Sequence, residues 1–119
     1  MPDLPELATH DLTTLGPRLC VIGPSSAGKS TLGVALAQKL GCKLVHLDLL
    51  AHYPDTQWQA RPKPELMALH DAELDDPAWV IEGNYSSAMP QRFARATAII
   101  WLDFGPLGCL GRYVRRTLQ

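Results

Sequence analysis

With 119 residues the chain has room for one compact domain and little for a second. Eleven Lys and Arg against twelve Asp and Glu leave a formal net charge of −1, which excludes a global electrostatic attraction to nucleic acid or to an anionic membrane and leaves any such case to local basic clusters. The three cysteines, Cys20, Cys42 and Cys109, are odd in number, widely spaced and set in apolar segments, which points to free thiols in a reducing compartment rather than to disulfides or metal ligation.

No apolar run approaches the ~20 residues needed to span a bilayer, and no basic-then-apolar leader opens the chain, so a soluble cytoplasmic protein is expected. Residues 1–17, with Pro2, Pro5 and Pro17, suit a loosely attached N-terminal arm better than a core element, and the domain is expected over 18–119. Arg18 to Gly23 is a short continuous apolar run ending at glycine, the pattern of a strand buried on both faces of a parallel sheet. From Lys29, leucines at 32, 36 and 40 recur every four residues and Gly41 follows, which predicts a helix with a glycine stop. Lys43 to Asp48 reads as a second strand ending on an acid. These three elements make a strand, helix, strand unit with parallel strands.

Residues 49–63 are a proline-punctuated connection with Trp58 as its large apolar anchor. Leu66, Met67, His70 and Leu74 then share one helical face before Asp75-Asp76-Pro77. Trp79 to Glu82 is a third short strand and Thr97 to Asp103 a fourth. A helix carrying Arg112, Arg115 and Arg116 is expected from Pro106 to the end.

Gly23-Pro24-Ser25-Ser26-Ala27-Gly28-Lys29-Ser30, followed by Thr31, satisfies G-x-x-x-x-G-K-[ST] at every fixed position and lies between a strand and a helix, the context this motif requires. An anion wrapped this closely leaves no space for side chains at the two glycines, while successive N–H groups and the positive end of the helix face inward. Lys29 supplies a mobile charge to the β- and γ-phosphates, and the Ser30 hydroxyl can join the oxygen shell of Mg²⁺. The bland alternative is an accidental glycine turn; ordinary residue frequencies put a chance match at roughly half a percent, and the flanking elements lower it further. Binding of ATP, or another nucleoside triphosphate, with Mg²⁺ is therefore expected over Gly23–Thr31.

In an open parallel sheet, residues that end strands share an edge with such a loop, and Asp48, Glu82 and Asp103 all do. Phosphoryl transfer needs an acid near the metal and can use a second carboxylate to take the acceptor's proton. Each acid can equally be a helix cap or a turn residue. Gly83 after Glu82 lets the backbone approach a ligand, which favours Glu82 for the metal; Asp103, before Phe-Gly-Pro, better suits the end of its strand. Arg92, Arg112 and Arg116 are candidates for phosphate contact, since guanidinium groups are planar and permanently charged. For the terminal pair the alternatives are a charge complementing a helix end, or a small nucleic-acid patch. The four histidines lack metal-ligand spacing.

With those residues placed, the chain resembles the adenylate kinase-type P-loop kinases, and within them the group described as DNA topology modulation proteins. The resemblance rests on the P-loop, His46-Leu47-Asp48, Trp58, Trp79-Val80-Ile81-Glu82-Gly83-Asn84-Tyr85-Ser86, Gln91-Arg92, Ile99 to Asp103 and the terminal Arg-x-x-x-Arg, in that order over about residues 18–118. It implies an α/β fold of three layers with parallel strand order 2-3-1-4-5, Asp48 contacting the phosphoryl acceptor, Arg92 binding substrate or phosphate, and Arg112 and Arg116 opening an arginine-bearing lid. Two departures accompany it: Glu82 stands where related enzymes often carry Asp, and the chain stops at Gln119, so the fifth strand is expected to be missing and the domain C-terminally incomplete. The expected function is ATP- and Mg²⁺-dependent phosphoryl transfer to a small molecule or nucleotide. The alternatives are a non-catalytic nucleotide-binding regulator associated with DNA, or a simple NTP hydrolase.

Overall fold

A computed structural model describes residues 12–24, 28–105 and 108–115, with the backbone alone for 12, 13, 103–105 and 108–115. Strand β1 (Arg18–Ile22) lies at the centre of the sheet. It pairs in parallel with β3 (Trp79–Glu82) on one side and with β4 (Ala98–Gly105) on the other, and β2 (Lys43–His46) pairs in parallel with the far side of β3. The four parallel strands thus run in the order 2-3-1-4 of a P-loop-like α/β fold, as expected.

Alternation along these strands explains why their sequences are apolar throughout. Leu19, Val21, Val80, Ala98, Ile100 and Leu102 face one layer, with helix α1 (Lys29–Leu40) contributing Leu32, Leu36 and Ala37. Cys20, Trp79, Ile81 and Ile99 face the other, where Val45, Leu47, Leu74 and Ala96 complete a second cluster. A sheet covered on both faces has no solvent-facing register, so continuous apolar runs replace alternation. Each fully enclosed Leu or Ile side chain stabilises the fold by about 1.5–3 kcal/mol relative to exposure. Helix α1 ends at Gly41, whose φ of 66° closes the last turn by donating its N–H to the Ala37 carbonyl.

Strand β2 stops at His46, two residues earlier than expected; Leu47–Leu50 form a helical turn, α2, because buried Leu47 turns into the second core cluster. Asp48 therefore sits on that turn and is exposed. Helix α3 (Lys63–Glu73) covers the predicted 66–74 face, and a short helix, α4 (Met89–Arg95), follows a 3₁₀ turn at Ser86–Ala88. Ahead of β1, Leu12–Leu15 form another 3₁₀ turn whose Leu15 is buried in the first cluster, so the end of the expected arm is packed; residues 1–11 lie outside the description.

The helix expected from Pro106 is corrected. Gly108–Arg115 is a strand, β5, antiparallel to β4 over the whole register from Ala98↔Arg115 to Gly105↔Gly108. Two glycines and the adjacent Tyr113-Val114 weaken helix formation here, and β4 otherwise offers an unpaired edge. The fifth place of the sheet is thus filled, by a hairpin partner rather than by a parallel strand.

Candidate phosphate and metal site

Register decides what meets at the carboxyl edge. Val80 faces α1, so Glu82, two residues on, faces the same layer; His46 lies directly opposite Glu82 across β2 and β3, and Val21 opposite it across β1. Helix α1 begins at this edge. Gly33 lets it lie close, since a Cβ there would come within 3.1 Å of Leu44 and 3.4 Å of the Glu82 side chain. Ser30, on the first turn, consequently donates its hydroxyl to Glu82 Oε2 at 3.1 Å.

The first and sixth positions of the loop, Gly23 and Gly28, have φ of 141° and 89°, conformations that side chains disfavour. A Cβ at Gly23 would also lie 2.5 Å from the Leu102 carbonyl oxygen, so β4 enforces glycine there. Lys29 extends its ammonium back over the loop, donating to the carbonyls of Gly23 at 2.9 Å and Pro24 at 3.0 Å. Thr31 is exposed, and Ser25, Ser26 and Ala27 lie outside the described residues.

Glu82 is 4% exposed and its Oε2 also meets His46 Nδ1 at 2.6 Å. A buried carboxyl group that receives a hydroxyl and meets an imidazole nitrogen has polar partners inside the protein. Its pairing with the Ser30 hydroxyl presents two hard oxygen donors at the start of α1, a set that fits Mg²⁺ sharing its shell with phosphate and water. Among the described residues no group of three His, Cys, Asp or Glu is placed to hold a metal ion.

Asp48 lies beside this edge but not within it; its Oδ1 accepts the Tyr85 hydroxyl at 2.9 Å. Burial, and then the Asp48 contact, push the Tyr85 phenol up to about 12. Arg92 departs from the phosphate-contact expectation in its placement. It is fully enclosed, with its guanidinium donating to the carbonyls of Gly83 and Asn84 and to His70 Nε2 at 3.3 Å. His70, 1% exposed, is held below 6.5 by burial and by the Arg92 charge, against the pull of Asp71 at 3.0 Å on Nδ1. A neutral ring donating through Nδ1 and accepting through Nε2 satisfies both neighbours.

Arg112 has its backbone on β5, opposite Trp101, rather than on a lid helix. Arg116 and the Asp103 side chain lie outside what the structure describes. Cys20 is a buried free thiol pushed up to about 12 by burial, and Cys42 is free and part-buried. No helix among the described residues is long and apolar enough to cross a membrane. Sequence reasoning missed Asn84, whose amide binds the Gly23 backbone, as well as His46 and His70; the one available signal was register, since His46 and Glu82 both end adjacent strands.

No family model matches the chain. Curated proteins similar to it carry the name tRNA dimethylallyltransferase. That of Halorhodospira halophila is 36% identical over 84 residues, 67% of this chain and 26% of the relative. That of Streptomyces coelicolor is 36% identical over 102 residues, 82% and 32% of the two chains, and that of Hyphomonas neptunium is 42% identical over 53 residues, 44% and 17%. These matches and the loop between β1 and α1 support a P-loop nucleotide-binding family. They do not single out the DNA topology modulation group. The chain spans less than a third of the length of these relatives.

Proposed function

We propose that this P-loop protein binds ATP, or another nucleoside triphosphate, with Mg²⁺ and transfers the terminal phosphoryl group to a small-molecule or nucleotide acceptor. The observation that carries the proposal is the 3.1 Å contact between Ser30 and the buried Glu82, which sets two metal-compatible oxygens at the mouth of a P-loop. Mg²⁺, held by Ser30, Glu82 and phosphate oxygens, would neutralise charge on the transferring group. Lys29 exchanges the Gly23 and Pro24 carbonyls for phosphate oxygens, at no loss of hydrogen bonds to itself.

Asp48 is the acceptor-side base in this reading. Its carboxylate is exposed and already accepts one hydroxyl, that of Tyr85, so it can take the proton of another. Beside it, Leu49, His52, Tyr53 and Trp58 line a cavity of about 350 Å³ in which an acceptor can sit. Arg92 is assigned to support of the 83–84 backbone; Arg112, whose backbone lies opposite Trp101 and so near the carboxyl edge of the sheet, remains a candidate for contact with the phosphates.

The names of the similar proteins favour a second reading, transfer of a dimethylallyl group to a nucleotide of tRNA. The same cradle would then hold the phosphate leaving group, and nucleic acid would be the acceptor in spite of the near-zero net charge. One panel separates the readings: ADP release in the presence of nucleosides, nucleotides and small alcohols, and dimethylallyl incorporation into tRNA from a phosphorylated donor, each with Lys29→Ala as control. ADP accompanied by a phosphorylated acceptor supports phosphoryl transfer, and ADP without one marks hydrolysis. Incorporation into tRNA supports the second reading. Absence of any Lys29-dependent product sinks them all.

A further inference from the structure

We infer that Asn84 is a positioning residue for the P-loop, fixing the backbone of Gly23 so that Lys29 can leave it for phosphate. The inference rests on the phosphate-binding reading above. Asn84 follows β3 and is an exposed residue, yet both ends of its side-chain amide are engaged. Oδ1 accepts the Gly23 N–H at 3.0 Å and Nδ2 donates to the Gly23 carbonyl at 2.8 Å. The complementary donor and acceptor define the orientation of the amide. The pair resembles one further rung of sheet, made by a side chain where the β1–β3 ladder has ended at Val21↔Glu82.

The Gly23 carbonyl has two donors, Asn84 Nδ2 and Lys29 Nζ at 2.9 Å. When the ammonium turns to phosphate, the carbonyl keeps Asn84 and is not left unsatisfied. Without Asn84 the departure of Lys29 would orphan it, so phosphate binding would carry that penalty.

Asn84 is itself fixed from behind. Arg92 donates to the Asn84 and Gly83 carbonyls, His70 accepts from Arg92, and Asp71 meets the opposite ring nitrogen of His70. Gly83 donates its N–H to the Val21 carbonyl at 3.0 Å and has φ of 127°, which lets the chain turn back over β1. A continuous hydrogen-bonded series thus runs from α3 through the enclosed guanidinium to the first residue of the P-loop.

The test combines amide exchange of Gly23 with Mg·ATP binding. In Asn84→Ala, exchange of the Gly23 amide should accelerate and the dissociation constant for Mg·ATP should rise, each about tenfold, as expected for loss of two ordinary hydrogen bonds. Protection in the last turn of α1 should not change. Asn84→Asp, nearly isosteric and the variant to use if the alanine form does not fold, keeps the acceptor for the Gly23 N–H and loses the donor; it should retain Gly23 protection while weakening binding relative to wild type even at high salt, where repulsion by the added charge is screened. A role confined to stability would not separate the two readouts in that way. Unchanged Gly23 exchange in folded Asn84→Ala would overturn the contact, and wild-type ATP affinity despite faster exchange would overturn its role in binding. If the wild-type protein lacks Lys29-dependent ATP binding, the functional reading is overturned and the role in binding with it, while exchange still decides the contact.

Discussion

Replacing Arg92 with Met keeps an aliphatic stem of similar length and deletes a guanidinium that has no exposed surface. The Gly83 carbonyl and the Nε2 of His70 then lose their donor, and so does the Asn84 carbonyl, which solvent can partly serve. Each buried acceptor left unpaired costs about 1–3 kcal/mol. Relief runs the other way, because Arg92 forms no ion pair among the described residues, its Nε has no hydrogen-bond partner, and an enclosed charge carries a desolvation penalty. We expect the two enclosed acceptors to dominate, giving a net loss of about 2–4 kcal/mol. The melting temperature should fall by roughly 10–15 °C for a domain of this size. Urea unfolding followed by tryptophan fluorescence is the assay, with the fully enclosed Trp79 as the main reporter; the midpoint should shift at constant slope. An unchanged midpoint together with lost nucleotide affinity would refute this reasoning and restore Arg92 to the phosphate.

Glu82→Gln, which retains an acceptor for Ser30 but not the charge, should raise the Mg²⁺ concentration needed for ATP binding by roughly 10- to 100-fold without unfolding the chain; a magnesium titration at fixed ATP would show otherwise if Glu82 only caps the strand. Stability should fall as pH drops below 6.5, because unfolded His70 takes up a proton there whereas burial and the Arg92 charge delay protonation in the folded state, so the unfolded state binds more protons. Urea midpoints of wild type and His70→Gln between pH 7 and pH 5 should diverge, the variant being flatter. An ultraviolet titration of tyrosinate should show one component near 12 from Tyr85, and Asp48→Asn should lower it only part of the way to 10, since burial is the larger cause.

The strands themselves, and their burial on both faces, were legible because strand runs, glycine stops and the leucine repeat of α1 are local signals that tertiary contacts reinforce. The order 2-3-1-4, by contrast, was available only as what the resemblance to adenylate kinase-type kinases implies, since no local signal fixes which strands pair. The P-loop was legible for the same reason: its glycines answer to backbone geometry at Gly23 and Gly28. Two features were not. The arginine of Gln91-Arg92 reads from sequence as a solvated or phosphate-binding cation, and only α4, packing beside β1, turns it inward against the carbonyls that follow β3. The segment 108–115 carries spaced arginines that imitate a helix face, whereas its pairing with β4 is a long-range preference that no periodicity announces.

The residues Glu82, Gly83 and Asn84 divide the work at the edge of the sheet more sharply than the P-loop alone would require. Alternation sends Glu82 toward Ser30. The positive φ of Gly83, where a Cβ would come within 2.8 Å of Leu47, reverses the chain. That reversal brings Asn84 over β1 to hold Gly23. Any side chain at Gly83 would therefore disturb Glu82 and the Asn84 contact to Gly23 together, although it touches neither. Each of the three positions is set by β3 ending in register with Val21, so the phosphate cradle and its acid are aligned by the central strand pair and not by the loop's own sequence. A bare G-x-x-x-x-G-K-[ST] match predicts an anion cradle; this strand end is what aligns the cradle with an acid suited to Mg²⁺.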